Sequence, residues 1–245
     1  MPTTIKITEL FGANLATLLA EKIVTAYPDF PGKAFVNAID ANTAGKTYTQ
    51  RIEVIADELH NFLPANYTKA LGILTSILGP ENQNETGMFT NYYWIMPIGK
   101  FIEKYGLEDF DASMSALEEV TKRNTGEYAV RPYIRKYPKR ALMQMKRWAA
   151  SDNFHLRRLA SEGLRPKLPW APKLDEFVQN PQPVFDILTL LKEDPVKFVQ
   201  KSVANHLTDY LKVNPEPTRE LINEWKKSGN KNTQWIIKHA TRKLS

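Results

Sequence analysis

The 245-residue sequence contains no cysteine, and this absence excludes three kinds of chemistry at once. Disulfide scaffolds, thiolate-bound zinc sites and cysteine nucleophiles all require a thiol. Histidine is also scarce: only His60, His155, His206 and His239 occur, and none lies within five residues of another. The paired histidines of an HExxH site are therefore absent, and we expect no metal site.

Long apolar runs are missing as well. No run approaches the ~20 residues that cross a bilayer, and the opening residues MPTTIKITEL lack the apolar core of a signal peptide. Motifs of the P-loop, GxGxxG and GxSxG types are absent, which removes the usual signals of nucleotide hydrolysis, dinucleotide chemistry and α/β-hydrolase chemistry. We expect a cytoplasmic monomer with no membrane partner.

Charge is distributed unevenly along the chain, although the net charge is only +6. Residues 1–120 carry 8 basic and 15 acidic side chains, whereas residues 121–245 carry 25 and 12. The stretch 122–173 holds 14 basic side chains and only three acids, Glu127, Asp152 and Glu162. So dense a basic region favours a face that binds a polyanion, nucleic acid first, and the alternative is a solvated basic surface without a ligand.

Apolar residues recur with a helical period along most of the chain, and no segment shows the alternation of a half-buried strand. Asp111 and Pro138 are expected to open two of the helices. The other predicted helices cover 9–27, 47–63, 66–79, 127–137, 153–164, 183–192, 195–211, 217–227 and 233–244. The sequence therefore predicts an all-α protein.

Short segments also repeat. The run from Glu127 to Pro132 is echoed by the run from Glu162 to Pro166, 34–35 residues later. Periods of this size are typical of stacked helix pairs such as HEAT repeats. We predict one domain over 1–245, an α-solenoid of HEAT-like repeats with a concave basic groove. Residues 1–120 would form its acidic N-terminal helices, and residues 121–245 would form the basic DNA-binding and catalytic repeats.

Carboxylates in such a groove are costly because they repel phosphate. Glu127 and Glu162 occupy equivalent repeat positions, and Asp209 lies about one repeat further on. If all three point inward, they could bind a cationic target or stabilise positive charge that develops on a sugar during C1′–N cleavage. The alternative is ordinary i,i+4 ion pairing on a helix surface, Glu127 with Arg131 and Arg158 with Glu162.

Aromatic and basic residues complete the candidate site. Trp170 in a proline-rich loop and Trp94 could face a nucleotide, although packing in the core is the alternative for both. Seven basic side chains are candidates for phosphate contact, with plain solvated charge as the alternative: Arg157, Arg158, Arg165, Lys167, Lys201, Lys238 and Arg242.

The run Arg157-Arg-Leu-Ala-Ser-Glu-Gly163, with Arg165-Pro-Lys-Leu-Pro-Trp-Ala171 after it, resembles the signature block of a known family. This family is the AlkC branch of the AlkD-like DNA alkylation repair glycosylases. Three further segments support the resemblance: Glu127-Tyr-Ala-Val-Arg-Pro-Tyr133, Lys201-Ser-Val-Ala-Asn-His-Leu-Thr-Asp209 and Trp235-Ile-Ile-Lys-His-Ala240. The similarity covers roughly 90–245, and 1–90 match mainly in helical character.

The resemblance implies a monofunctional glycosylase that hydrolyses the N-glycosidic bond of N3-alkylated bases, such as 3-methyladenine and 3-methylcytosine, in duplex DNA. It implies that Glu127, Glu162 and Asp209 are the active-site carboxylates, that Trp170 faces the lesion, and that no cofactor is needed. A non-catalytic HEAT scaffold, which binds nucleic acid or acidic proteins, is the alternative function.

Two positions depart from the family pattern. Gln200 stands where an arginine is usual, and His206 stands where an asparagine is common. Each change is expected to weaken phosphate contact. Some relatives carry an immunoglobulin-like domain after the helices that helps to encircle DNA. The sequence ends at Ser245, so we also expect weaker DNA affinity or dependence on fewer DNA contacts.

Overall fold

The computed structural model describes residues 6–87, 89–169 and 171–242. Within these residues the chain forms fourteen α-helices and two short 3-10 helices, and it forms no strand. The all-α prediction is therefore confirmed. The chain divides into two compact units, one comprising 1–82 with 87–125 and the other 83–86 with 126–245. The single repeat domain over 1–245 and its concave groove stay predictions.

The first unit packs six α-helices around an apolar core. Helix α3 shows why these elements form. The Thr47 hydroxyl accepts from the backbone N–H of Gln50, and the side-chain oxygen of Gln50 accepts from the backbone N–H of Thr47. Its buried stripe of Ile52, Ile55 and Leu59 faces the core. The helices are α1 Ala13–Ala26, α2 Gly32–Thr43, α3 Tyr48–Phe62, α4 Tyr67–Ser76, α5 Met96–Tyr105 and α6 Phe110–Thr121.

The second unit contains the basic stretch and eight α-helices. They are α7 Arg131–Lys136, α8 Pro138–Ala149, α9 Phe154–Glu162, α10 Asp175–Gln179, α11 Gln182–Leu191, α12 Lys197–Val213, α13 Pro215–Trp225 and α14 Lys231–Thr241. The long helix α12 packs against both α9 and α14, and α9 also packs against α8. Large side chains such as Trp148 and Tyr210 fill the core between them. This packing fixes the positions of α9 and α12, which carry two of the predicted carboxylates.

The segment 83–86 belongs to the second unit, although it lies far earlier in the sequence. The carboxylate of Glu85 accepts a hydrogen bond of 2.8 Å from the backbone N–H of Phe198. That N–H lies in the first turn of α12, where helical backbone donors have no partner within the helix. Glu85 therefore caps α12 from a distant region of the sequence.

Some predicted element boundaries were wrong. Asp109, not Asp111, caps α6, since its side chain accepts from the backbone N–H of Ala112. The predicted helix over 127–137 begins only at Arg131, because 127–130 form turns before Pro132 enters the first helical turn. Helices α2, α5 and α10 were not predicted. No described helix has the length and apolar character needed to cross a lipid bilayer.

Gly163 ends α9 at a crowded point of the second unit. A Cβ atom at this position would lie 2.9 Å from Val130 Cγ1 and 3.1 Å from the Leu159 carbonyl oxygen. We expect Gly163→Ala to lower the free energy of unfolding by about 1–3 kcal/mol, because the added methyl overpacks the core. Urea unfolding measures this change.

The matched control is Gly72→Ala in α4, where no atom lies within 4 Å of the new Cβ. Alanine there should raise stability by roughly 0.5–1 kcal/mol through its better helix propensity. Equal effects at the two glycines would contradict the crowding argument at Gly163.

Candidate active site

The three predicted carboxylates form one connected cluster with two arginines in the second unit. Glu162 is the last residue of α9, Asp209 lies on α12, and Glu127 lies in the turn before α7. Arg158 and Arg165 join them, so we call these five side chains the carboxylate–arginine cluster. Residues separated by as many as 82 positions in sequence thus meet in one network.

Arg165 bridges two of the carboxylates. Its Nη1 donates to Glu162 Oε1 at 2.6 Å. Its Nε donates to Asp209 Oδ2 at 2.8 Å, and its Nη2 lies 2.6 Å from the same oxygen. Such charge-assisted contacts fix both the distance and the plane of the partners. Arg165 therefore sets the position of Glu162 relative to Asp209.

Arg158 makes the second link. Its Nη2 donates to Glu127 Oε2 at 2.8 Å and lies 3.9 Å from Glu162 Oε2. Its guanidinium carbon lies 4.6 Å from the centre of the Phe198 ring, a cation–π contact that orients the side chain further. Glu127 is thereby held beside Glu162.

Glu162 is buried, and the hydroxyl of Ser202 on α12 forms a hydrogen bond with its carboxylate. Ser202 Oγ donates to Glu162 Oε2 at 2.6 Å, and it lies 3.0 Å from Ser161 Oγ. Both serines are almost completely buried. The carboxylate of Glu162 therefore has a bound partner at each oxygen.

Burial by itself raises the pKa of Glu162. The positive charges of Arg158 and Arg165, with hydrogen bonds from Ser202 and Arg165, outweigh burial and hold this pKa below its ordinary value. Glu162 is therefore ionised at neutral pH. Formally the cluster combines three carboxylates with two guanidinium groups and keeps one excess negative charge.

A polar depression of about 160 Å³ opens beside Asp209 and Arg165. Helices α12 and α14, with the residue that follows α14, supply its other walls: Asn205, Thr208, Lys212, His239 and Arg242. The depression gives one edge of the buried cluster a polar, partly cationic approach from solvent.

The family described as DNA alkylation repair enzyme matches residues 98–244 of this chain. The chain belongs to the DNA alkylation repair enzyme family. It is also 34% identical, over 96% of its length, to Uncharacterized protein YhaZ of Bacillus subtilis (strain 168). The resemblance drawn from the sequence is thereby confirmed.

A solved structure agrees with this family membership. The Pseudomonas fluorescens alkylpurine DNA glycosylase AlkC, bound to DNA containing an abasic site analog, matches 99% of this chain at 33% identity with a TM-score of 0.88. The helical-repeat fold is thereby shown. This chain spans 65% of the length of that protein and 64% of the Bacillus relative.

The predicted phosphate contacts of this family member fall into two groups. Arg157, like Arg158 and Arg165, is already ion-paired: its Nε lies 2.6 Å from buried Asp194, and its Nη1 donates to two backbone carbonyls. The other four side chains are exposed in the second unit: Lys167, Lys201, Lys238 and Arg242. Phosphate binding by these seven residues stays a prediction.

The two predicted tryptophans have different outcomes. Trp94 lies in the first unit, is 7% exposed, and has the Lys22 ammonium 4.7 Å from its ring centre. Trp170 lies outside the described residues. The lesion-facing role of both residues stays a prediction.

Of the two i,i+4 ion pairs that the sequence offered as an alternative, Glu127 with Arg131 is not formed and Arg158 with Glu162 is long. Glu127 precedes α7, and Arg131 instead donates to the carbonyl oxygens of Gly163, Arg165 and Pro172. Arg158 does approach Glu162 at 3.9 Å, but its shorter contact is with Glu127. Glu162 is therefore paired locally, with Arg165 three residues later, whereas Glu127 and Asp209 are linked to these arginines from distant positions in the sequence.

The two departures from the family pattern are both buried. Gln200 is 1% exposed and donates to the Asp194 carbonyl at 2.7 Å. His206 is fully buried and stacks on Tyr210, with ring centres 5.3 Å apart. Neither side chain reaches the surface, and the weaker phosphate contact expected from these two departures stays a prediction.

Sequence reasoning missed Ser202 and Arg131 as members of the site. Ser202 lies inside a segment that carries the family resemblance, but serine in a helix gives no signal of a carboxylate partner. Arg131 and Arg165 occupy the same place in the two repeat echoes, and this repetition was the available signal.

His206 should make folding stability depend on pH. Burial, then the charge of Arg165, lowers its pKa from 6.5 to about 3, and neither ring nitrogen has a hydrogen-bond partner among the described residues. Below pH 6.5 the unfolded chain therefore binds a proton that the folded chain does not. Stability should fall by about 2 kcal/mol between pH 7 and pH 5 from this residue alone.

The measurement compares urea unfolding of the native chain and His206→Asn at both pH values. The variant should start from a different stability at pH 7 but lose about 2 kcal/mol less on acidification. Parallel pH dependences of the two proteins would show that His206 does not carry this effect.

Proposed function

We propose that this chain is a monofunctional DNA glycosylase that hydrolyses the N-glycosidic bond of N3-alkylated bases, such as 3-methyladenine and 3-methylcytosine, in duplex DNA. The observation that carries this proposal is the convergence of Glu127, Glu162 and Asp209 in one cluster. These acids lie in the half of the chain that holds 25 of its 33 basic residues. Membership of the DNA alkylation repair enzyme family agrees with it.

The chemistry follows from the charge of the substrate. A base alkylated at N3 is cationic, so it leaves as a neutral molecule when the C1′–N bond breaks and takes the bonding electron pair with it. The sugar then carries positive charge, which nearby carboxylates stabilise. Water adds to C1′ and gives its proton to a carboxylate or to solvent, and an abasic site remains. Because the base leaves as a neutral molecule, the reaction needs no strong general acid.

DNA binding would use the exposed basic side chains of the second unit. Lys167, Lys201 and Lys238, together with Arg242, are exposed there and could contact phosphates. The AlkC of Pseudomonas fluorescens, which shares the fold, is bound to DNA with an abasic site analog, which is the kind of product expected here. We propose that the chain acts as a monomer on chromosomal DNA in the cytosol, with Trp170 facing the lesion.

A base-release assay tests the proposal. The purified chain is incubated with DNA methylated at random positions, and released bases are separated by chromatography. We expect free 3-methyladenine and an equal amount of abasic sites, with no release from unmethylated DNA. DNA binding that weakens steeply with salt, but without any base release, would instead support the non-catalytic scaffold.

A further inference from the structure

Each guanidinium nitrogen of Arg165 already contacts a carboxylate. Its Nη1 holds Glu162 at 2.6 Å, and its Nε and Nη2 both hold Asp209, at 2.8 and 2.6 Å. The side chain is only 17% exposed. Moving the Arg165 guanidinium onto a DNA phosphate would weaken ion pairs that are largely shielded from solvent, which is costly.

Arg158 is held in a similar way. Its Nη2 donates to Glu127 at 2.8 Å, its guanidinium lies over the Phe198 ring, and its side chain is 15% exposed. The exposed Lys167 and Lys201 are better suited to attract a phosphate, because their ammonium groups reach solvent.

We propose that Arg158 and Arg165 are positioning residues that hold the three carboxylates in place for base release, and that they do not contact DNA phosphates. The inference rests on the proposed glycosylase function. It gives these two arginines a different role from the phosphate contact expected from their position in the basic stretch.

Arg158 and Arg165 are needed because they offset the repulsion among the three carboxylates. Three carboxylates gathered in one cluster repel each other, and without counter-charges at least one would take up a proton. A protonated carboxyl would not stabilise a positive sugar. The two guanidinium groups relieve the repulsion while leaving one excess negative charge for a cationic base. Because guanidinium is planar with fixed donors, it also fixes the direction in which each carboxylate points.

The first test measures DNA binding and needs no turnover. The affinity for duplex DNA that contains an abasic site analog is measured for the native chain and for Arg165→Met between roughly 50 and 200 mM salt. We expect the same slope of log affinity against log salt for both proteins. A slope shallower by about 0.9 in the variant would identify one lost phosphate contact and overturn the proposal.

The second test uses Arg165→Lys, which keeps the charge but cannot hold Glu162 and Asp209 with a fixed fork. We expect kcat for 3-methyladenine release to fall at least about 10-fold with little change in KM, because the carboxylates lose their orientation. The matched control is Arg219→Lys on α13, whose partner Glu216 is outside the cluster. Its kcat should stay within about twofold of the native value.

The pH dependence supplies a third readout. Since Arg165 helps to hold the pKa of Glu162 below its ordinary value, the acidic limb of the kcat profile should move to higher pH in Arg165→Met. An unchanged kcat in Arg165→Lys, or a rise in KM alone, would overturn the positioning role. A native chain that binds DNA but releases no base would refute the proposed function instead, while the salt slope would still decide whether Arg165 contacts phosphate.

Discussion

Glu162→Gln is expected to lower the rate of 3-methyladenine release at least about 100-fold while the protein remains folded. The substitution keeps the size of the side chain but removes the negative charge that would stabilise the sugar. It also places an amide where Arg165 and Ser202 both donate to a carboxylate oxygen. Single-turnover kinetics on methylated DNA measure the rate, and circular dichroism with thermal unfolding checks the fold.

The control for this variant is Glu216→Gln, which alters an exposed glutamate in an ordinary i,i+3 pair with Arg219. It should release base at the native rate. If Glu162→Gln also turned over normally, Glu162 would have no role in the chemistry, and the cluster would be a structural ion-pair network.

Arg131→Met is expected to lower the free energy of unfolding by about 2–4 kcal/mol. Arg131 is 2% exposed and donates to the carbonyls of Gly163, Arg165 and Pro172 at 3.2, 2.9 and 2.6 Å. Methionine would leave these acceptors without their donor. Burial lowers the pKa of Arg131 to about 10, so its charge is still present at neutral pH.

Urea unfolding measures this loss, and hydrogen exchange locates it in the loop between α9 and α10. The comparison variant is Arg219→Met, whose ion pair with Glu216 is exposed and should contribute less than about 1 kcal/mol. Equal stabilities of the two variants would mean that the buried hydrogen bonds of Arg131 add nothing beyond those that solvent provides.

The acids of the candidate site could be selected from the sequence because they break a pattern. In a stretch with 14 basic side chains, Glu127 and Glu162 are conspicuous, and their repeat spacing placed them at equivalent positions. The family resemblance added weight to Asp209. These signals depend on composition and spacing, which a single sequence displays directly.

The partners of these acids could not be selected in the same way. Arg158 meets Glu127 across 31 positions, and Arg165 meets Asp209 across 44. Such distances depend on how α9, α12 and the turn before α7 pack, which no local spacing encodes. Local rules instead favoured pairs four residues apart, such as Glu127 with Arg131.

Helices α5 and α10 were not predicted for reasons that lie in their local sequence. Helix α10 has only five residues, which is too short to show a helical period. Helix α5 contains Pro97 and Gly99, residues that usually signal a break. Pro97 lies in the first turn, where its missing N–H costs nothing, and Gly99 is buried against Val120. Tertiary packing therefore overrides the unfavourable local sequence.

Helix α12 fixes the distance between two residues of the candidate site, Ser202 and Asp209. Ser202 and Asp209 are seven residues apart, close to two full turns, so both face the same side, about 10 Å apart along the axis. A single residue inserted or deleted between them would rotate Asp209 by about 100° out of reach of Arg165. The number of residues along 203–208 should therefore stay constant, and because none of these side chains is exposed, few substitutions should be tolerated there.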